Sequence, residues 1–512
     1  MDVIKGLFGA GPKQPPKLED DHVYPTGLLD DTKSFRDMIL LWTFCFNDVL
    51  DPDKLHLSLN RLLEVGDWRK FGGRLRINDN DKLELHVPRE FSPERPAVKY
   101  SHQAFDMDIN DHPLGKKFPK ATDEATLFPG GKVFQEFARA SGDPVNGSDL
   151  LEGDKPQLGL RIVSFNDATL VSLVWPHTLM DAAGLQALLQ NWSLVVAGRE
   201  SEVLPVLGAR KDITYTIAES PTTPDAIQEL GPDEELRITP KLVIGFKIFI
   251  FSMRFLWDLL WLGGPEMRTI FLPKKTMAKL KQQALEEVVA TTNASEGEKP
   301  FVSEGDVISA WTTRIIASSE PRQLPVTILN AVNLRYRMKL LMESKGVFAQ
   351  NLATASFTFL SPTTAHGPLG PIALAVRNSL VEQTTEPQLR AQLQMNIANT
   401  EQGGGMMLFG ESNMMLVIIS NWTKAKLTEA ADFSAAVVRQ GEATETRRNK
   451  LGAMTQVYFS SAKESILTKN IVVVKGKDHE GNYWIEGSFH RRTWLKVEEE
   501  IARLASGGDQ GV

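Results

Sequence analysis

A single cysteine, Cys45, stands in 512 residues. That scarcity excludes a disulfide framework and any cysteine-built metal centre, and a lone thiol between two Phe in WTFCFND reads as an inert, buried side chain. Basic charge is in deficit: 57 Lys and Arg against 64 Asp and Glu give a net charge of -7. Basic runs with interleaved aromatics are missing as well, which argues against a nucleic-acid partner. The nine histidines include no HExxH pair. There is no GxSxG elbow, no GxGxxG after a strand and no GxxxxGK[ST] loop. The glycines at 403–405 lack the Lys and Ser/Thr that a phosphate loop requires, and read as a turn. The opening MDVIKGLFGAGPKQPPKLEDD has too short an apolar patch for a signal peptide, so the expected location is cytoplasmic.

What is present is ordinary for a folded protein: 42% apolar and 24% charged residues. The length asks for two domains or one very large fold. RDMILLWTFCFNDV reads as a buried strand. It is followed by a helix in DPDKLHLSLNRLLEVG, with Asp51 as cap, Pro52 at the first helical position and Leu55, Leu59, Leu62 and Leu63 on one face. GGRLRIN and DKLELHVP form a hairpin about NDND, and LGLRIVSF and TLVSLVWP a second strand pair. In the second half, IFLPKKTMAKLKQQAL reads as strand then helix, and FVSEGDVISAWTTRII as a helix capped by Ser303 with Asp306 three residues on. VTILNAVNLRYRM, MMLVIISNW, IVVVKG and GNYWIEG read as strands before a last helix, WLKVEEEIARLA. Strands and helices are interspersed, so the class is α/β. A stretch rich in Pro, Thr, Glu and Asp between about 200 and 240 marks the linker between halves.

KLVIGFKIFIFSMRFLWDLLWLGGP follows the linker and is about long enough to cross a bilayer as a helix. Lys247, Arg254 and Asp258 interrupt it at spacings of seven and four, which puts all three on one face and leaves a wide apolar surface on the other. Intramembrane charges are costly, which argues against a span. Two readings remain: a helix packed into the protein or over a pocket, and a helix lying on a membrane surface.

LVWPHTLMDAAG, residues 173–184, ends a buried strand in His177 and begins a helix at Asp181. Strand ends are where sites are commonly built, so His177 is a candidate catalytic residue. Asp181 has a structural reading as the N-cap of AAGLQALL. Position alone leaves both readings of the pair open.

HxxxD at this junction, followed late in the chain by SNWTKAKLTEAADFSAA, resembles the BAHD acyltransferases, coenzyme-A-dependent enzymes of plant and fungal specialised metabolism. The likeness spans most of the chain. HTLMDA keeps His177 and Asp181 but has Ala182 where the family has Gly, with Gly184 just beyond; Ala182 asks for a turn without positive φ there. Ser420, Asn421 and Trp422 match the Ser/Thr-x-Trp element, whereas the DFGWG signature survives only as Asp432 and Phe433. NAVNLRYRM, KGVFAQN and GGRLRI are similar to further family segments.

The resemblance implies two similar mixed-sheet α/β domains with a channel between them. It divides this chain into 1–205 carrying HxxxD, a crossover at 206–265, and 266–512 carrying the SNW and DFSAA segments. His177 is then the general base, taking the acceptor proton and passing it to the coenzyme A sulfur in a ternary complex, without a covalent intermediate or metal. Ser420 and Trp422 are the candidate oxyanion donors. Asp181 orients the loop by pairing with Arg335, or failing that Arg337, and Gly184 and Asp432 are structural support. Acyl-CoA is the co-substrate, no cofactor is bound permanently, and the acceptor is a hydrophobic alcohol such as a polyketide or terpenoid. The relaxed motifs are similar to those of filamentous-fungal members, the two-domain chain is expected as a monomer, and peripheral contact with the endoplasmic reticulum through 242–262 is open. Two alternatives stand beside this: the same fold working on carrier-protein-bound or intramolecular substrates, and a non-catalytic membrane-surface binding protein.

Overall fold

Local chemistry starts the elements where the sequence places them. Asp51 accepts from the backbone N–H groups of Asp53 and Lys54, both at 3.0 Å, and opens the helix Pro52–Leu62, whose Leu55, Leu59 and Leu62 are buried. Ser303 and Asp306 form a capping box at the start of the helix Glu304–Ser318. The computed structural model describes residues 14–291, 300–405, 407–463 and 468–506. The first thirteen residues of the segment weighed as a leader lie outside them.

Two mixed sheets organise the chain. The first has five strands in the order Gln456–Ser461, Ile39–Phe46, Thr169–Pro176, Gly159–Ser164 and Lys99–Ala104. The second has seven: Ala353–Leu360, Val326–Asn333, Met415–Asn421, Ile471–Lys477, Tyr483–Phe489, Glu266–Leu272 and Thr126–Pro129. Each combines parallel with antiparallel neighbours: the fold is α/β, as the interspersed elements lead one to expect, with two mixed-sheet domains, as the resemblance implies.

The halves are stitched by exchange. Gln456–Ser461, late in the chain, pairs with Ile39–Phe46, and Thr126–Pro129, early in the chain, pairs with Glu266–Leu272 at the edge of the other sheet. Val437–Gln440 likewise pairs with Asp48–Leu50. Ala425, Leu427, Phe433, Met454 and Val457 are consequently buried in the core of the first half. No local signal encodes these pairings, because each depends on which edge strand is open when the distant segment arrives.

The helix Phe246–Leu262 precedes the edge-region strand Glu266–Leu272 of the second sheet. Among the described residues no helix is long and apolar enough to cross a membrane.

Candidate active site

Thr169–Pro176 is the central strand of the first sheet and is buried along its whole length, so the chain leaves it in a fixed direction. The neighbouring strand extends the hold, since the His177 N–H donates to the Met38 carbonyl at 2.8 Å. The His177 ring lies flat on Phe35, with centroids 3.9 Å apart and planes 5° from parallel. Nδ1 is buried and has no hydrogen-bond partner among the described residues. Burial lowers the His177 pKa below its ordinary 6.5, outweighing the upward pull of Asp181 and Asn351. The resting imidazole is neutral at physiological pH and able to accept a proton.

Asp181 spends its two oxygens on structure. Oδ1 accepts from the N–H groups of Ala183 at 3.1 Å and Gly184 at 2.8 Å, capping the helix Ala182–Val196. Oδ2 accepts from Arg335 Nη1 at 2.9 Å and from the Leu352 N–H at 3.1 Å. Arg335 is held in turn: Nε donates to the Phe348 carbonyl at 2.8 Å, Nη2 to the Gln350 carbonyl, and Nη1 also to Asn333 Oδ1 at 3.2 Å. Arg337, the alternative partner, is exposed. Ala182 is the first residue of its helix and is not a positive-φ residue. Gly184 permits a close approach instead, because a Cβ there would stand 2.0 Å from the Ala349 carbonyl oxygen.

Asn351 completes the cradle. Its Nδ2 donates to the His177 carbonyl at 2.8 Å and to Asp30 Oδ1 at 2.8 Å, and its N–H donates to the same Asp30 oxygen at 2.7 Å. Burial pushes the Asp30 carboxyl up to about 6, against the opposing pull of Lys70 and of these hydrogen bonds.

Ser420 and Trp422 stand at the end of Met415–Asn421 in the other sheet. Trp422 Nε1 donates to Ser420 Oγ at 2.8 Å, so the indole N–H is occupied and the serine hydroxyl hydrogen is the donor left free. The indole stacks on Trp42 at 4.5 Å and meets Phe459 edge-on at 4.9 Å. Trp42 belongs to the strand beside the one that ends in His177, so both strand ends rest on Ile39–Phe46. Asp432 is exposed; its Oδ1 accepts from the Ser434 N–H at 3.1 Å and its N–H donates to Ser193 Oγ at 2.9 Å. Phe433 is buried between Phe46 and Trp192, so DFSAA ties its segment to the helix that Asp181 caps. Burial pushes the Cys45 thiol pKa far up, which disfavours the reactive thiolate.

Sequence reasoning missed Asp30, Phe35 and Trp42. Asp30 offers no more signal than one acid of a pair, and Phe35 and Trp42 sit in segments that read only as packing. A cationic group was missed as well: Lys424 Nζ lies over the Tyr336 ring at 5.1 Å, and burial first, then Arg337 and Arg377, lowers its pKa.

No family model matches the chain. Whole-length relatives do. The O-acetyltransferase PaAT-2 of Phomopsis amygdali is 37% identical over 494 residues, 94% of this chain and 98% of its own. The transcriptional regulator calD of Penicillium decumbens is 35% identical, covering 97% and 98%, and the acetyltransferase sphE of Aspergillus fumigatus 36% identical, covering 97% and 98%. Among solved structures, TRI101 of F. sporotrichioides, complexed with coenzyme A and T-2, superposes with a TM-score of 0.65 at 16% identity, over 94% of this chain and 98% of that one.

Proposed function

This chain belongs to the fungal acetyltransferase family, and from that premise we propose that it moves an acetyl or other short acyl group from acyl-CoA to a hydroxyl of a hydrophobic specialised metabolite. The observation that carries the reading is His177, its pKa lowered by burial, at a strand end whose backbone is held by Met38 and Asn351. As the acceptor oxygen attacks the thioester carbonyl carbon, its proton passes to Nε2. The tetrahedral oxyanion is met by the Ser420 hydroxyl, which Trp422 orients through its N–H. Collapse breaks the C–S bond, and the departing sulfur takes the proton from His177. Asp181 and Arg335 act as positioning residues, and Gly184 and Asp432 as structural support. The division into 1–205, 206–265 and 266–512 assigns the base to the first part and the oxyanion donor to the last.

A phosphate-bearing donor suits the neighbouring cations Lys424 and Arg337, and supports coenzyme A over a donor lacking phosphate. TRI101 holds coenzyme A on the same fold.

Calorimetric titration with coenzyme A and acetyl-CoA, followed by an acetyl-transfer assay over a panel of terpenoid and polyketide alcohols, tests the proposal. Saturable binding with turnover that is lost in His177→Ala supports it. Absence of binding by folded protein would sink it in favour of a carrier-protein donor, and binding without any turnover in favour of a regulatory role such as the name of calD suggests.

A further inference from the structure

The helix Phe246–Leu262 is built inside out for a protein in water. A surface helix normally turns its charges to solvent and its apolar stripe to the core. Here Asp258 faces the body, paired with Lys469 at 2.6 Å and Arg322 at 3.3 Å. Arg254, Phe251 and Phe255 line the small cavity beneath the helix with Met414, Met415 and His490. The outward arc is apolar throughout: Phe246 is 74% exposed, Phe249 57%, Met253 53%, Trp257 57%, Leu260 77% and Trp261 77%. At about 100° per residue these six fall within an arc of roughly 120° that contains no charge.

The exposed area is too large for an idle patch. Each Phe or Trp carries on the order of 150–250 Å². The four aromatics, all more than half exposed, therefore present roughly 500 Å², near the upper end of what monomers leave uncovered.

We infer that this helix docks the protein on a lipid bilayer surface, lying parallel to it with Trp257 and Trp261 in the headgroup region. Two observations select a bilayer over a second copy of the chain. The aromatic-rich apolar arc with Trp at one end is the composition of an interfacial helix, and the helix does not qualify as a span. The helix's one carboxylate, Asp258, is neutralised from the protein side, while Lys247 is exposed, so an anionic headgroup layer meets no opposing charge there. The helix adjoins the beginning of Met415–Asn421, and Ser420 lies about 17 Å further along that strand. Docking therefore leaves the Ser420 end uncovered, and the inference does not rest on the acyl-transfer reading.

The test is vesicle flotation of the full chain with phosphatidylcholine vesicles, with and without phosphatidylserine, comparing wild type with Phe249→Ser/Trp257→Ser/Trp261→Ser. Circular dichroism and thermal unfolding check that the variant is folded. The wild type is expected to float, more strongly with phosphatidylserine, and the variant to partition roughly 100-fold or more weakly. Wild-type protein that stays unbound on both compositions, or a folded variant that floats equally well, would overturn the inference. So would light scattering that shows a wild-type dimer, dissociated by the same substitutions, with no lipid binding.

Discussion

Two strand ends carry the residues proposed for the reaction, and they are fixed by opposite means. The end of Thr169–Pro176 is held by polar bonds: Asp181, Arg335, Asn333, Asn351 and Asp30 satisfy one another around His177. The end of Met415–Asn421 is held by ring stacking of Trp422 on Trp42 and Phe459, with a single side-chain hydrogen bond to Ser420. A hydrogen-bonded cradle fixes direction, which a base needs to meet one proton. Stacking fixes a plane and tolerates sliding, which suits a donor that must follow an oxygen as it becomes charged.

Substitutions separate the two. His177→Ala is expected to lower kcat/KM by about 10²–10⁴-fold while leaving acetyl-CoA binding intact, as steady-state kinetics and calorimetry would show. Because the folded pKa lies below 6.5, the neutral base persists to more acidic pH, and the acid limb of wild-type kcat/KM is expected below pH 6.5. Arg335→Ala leaves Asp181 without its cation and is expected to cost about 3–5 kcal/mol of stability by denaturant unfolding, more than Trp422→Phe.

Asp30 offers a pH readout of the same cradle. Its carboxyl is raised from 3.8 to about 6, so the folded state holds the proton more tightly than the unfolded chain. The stabilisation from that proton is complete below pH 3.8 and is lost as pH rises through about 6. Asp30→Asn is expected to remove a slope worth about 3 kcal/mol across that window, read from unfolding curves at several pH values. A wild-type curve as flat as the variant's would refute the charged cradle. The smallest effect is expected at the stacked end. Trp422→Phe keeps the ring but loses the N–H to Ser420, so kcat should fall about ten-fold with stability changed by about 1 kcal/mol.

The cradle was only partly legible. Asp181 as cap and the His177 spacing are local and readable, and Arg335 and Asn351 lay in segments singled out by resemblance. Asp30 was not readable, since its bond to Asn351 spans 321 positions. The helix Phe246–Leu262 shows the limit differently. The one-sided placement of Lys247, Arg254 and Asp258 was plain from their spacing. Which side would turn outward depended on Lys469 and Arg322, drawn from elsewhere in the chain.

By itself the sequence determined what lies within a turn or two of each residue: helix starts at Asp51, Asp181 and Ser303, the hairpin at 78–82, and a histidine set at a strand's end. These rest on hydrogen bonds and side-chain periodicity a few residues long, so no other segment can override them cheaply. Only the tertiary structure decided that Gln456–Ser461 would complete the first sheet, that the Trp422 N–H would go to Ser420, and that an apolar helix face would look outward. Each of those is a choice among distant partners, settled by which buried charge or open strand edge had to be satisfied once the chain was packed.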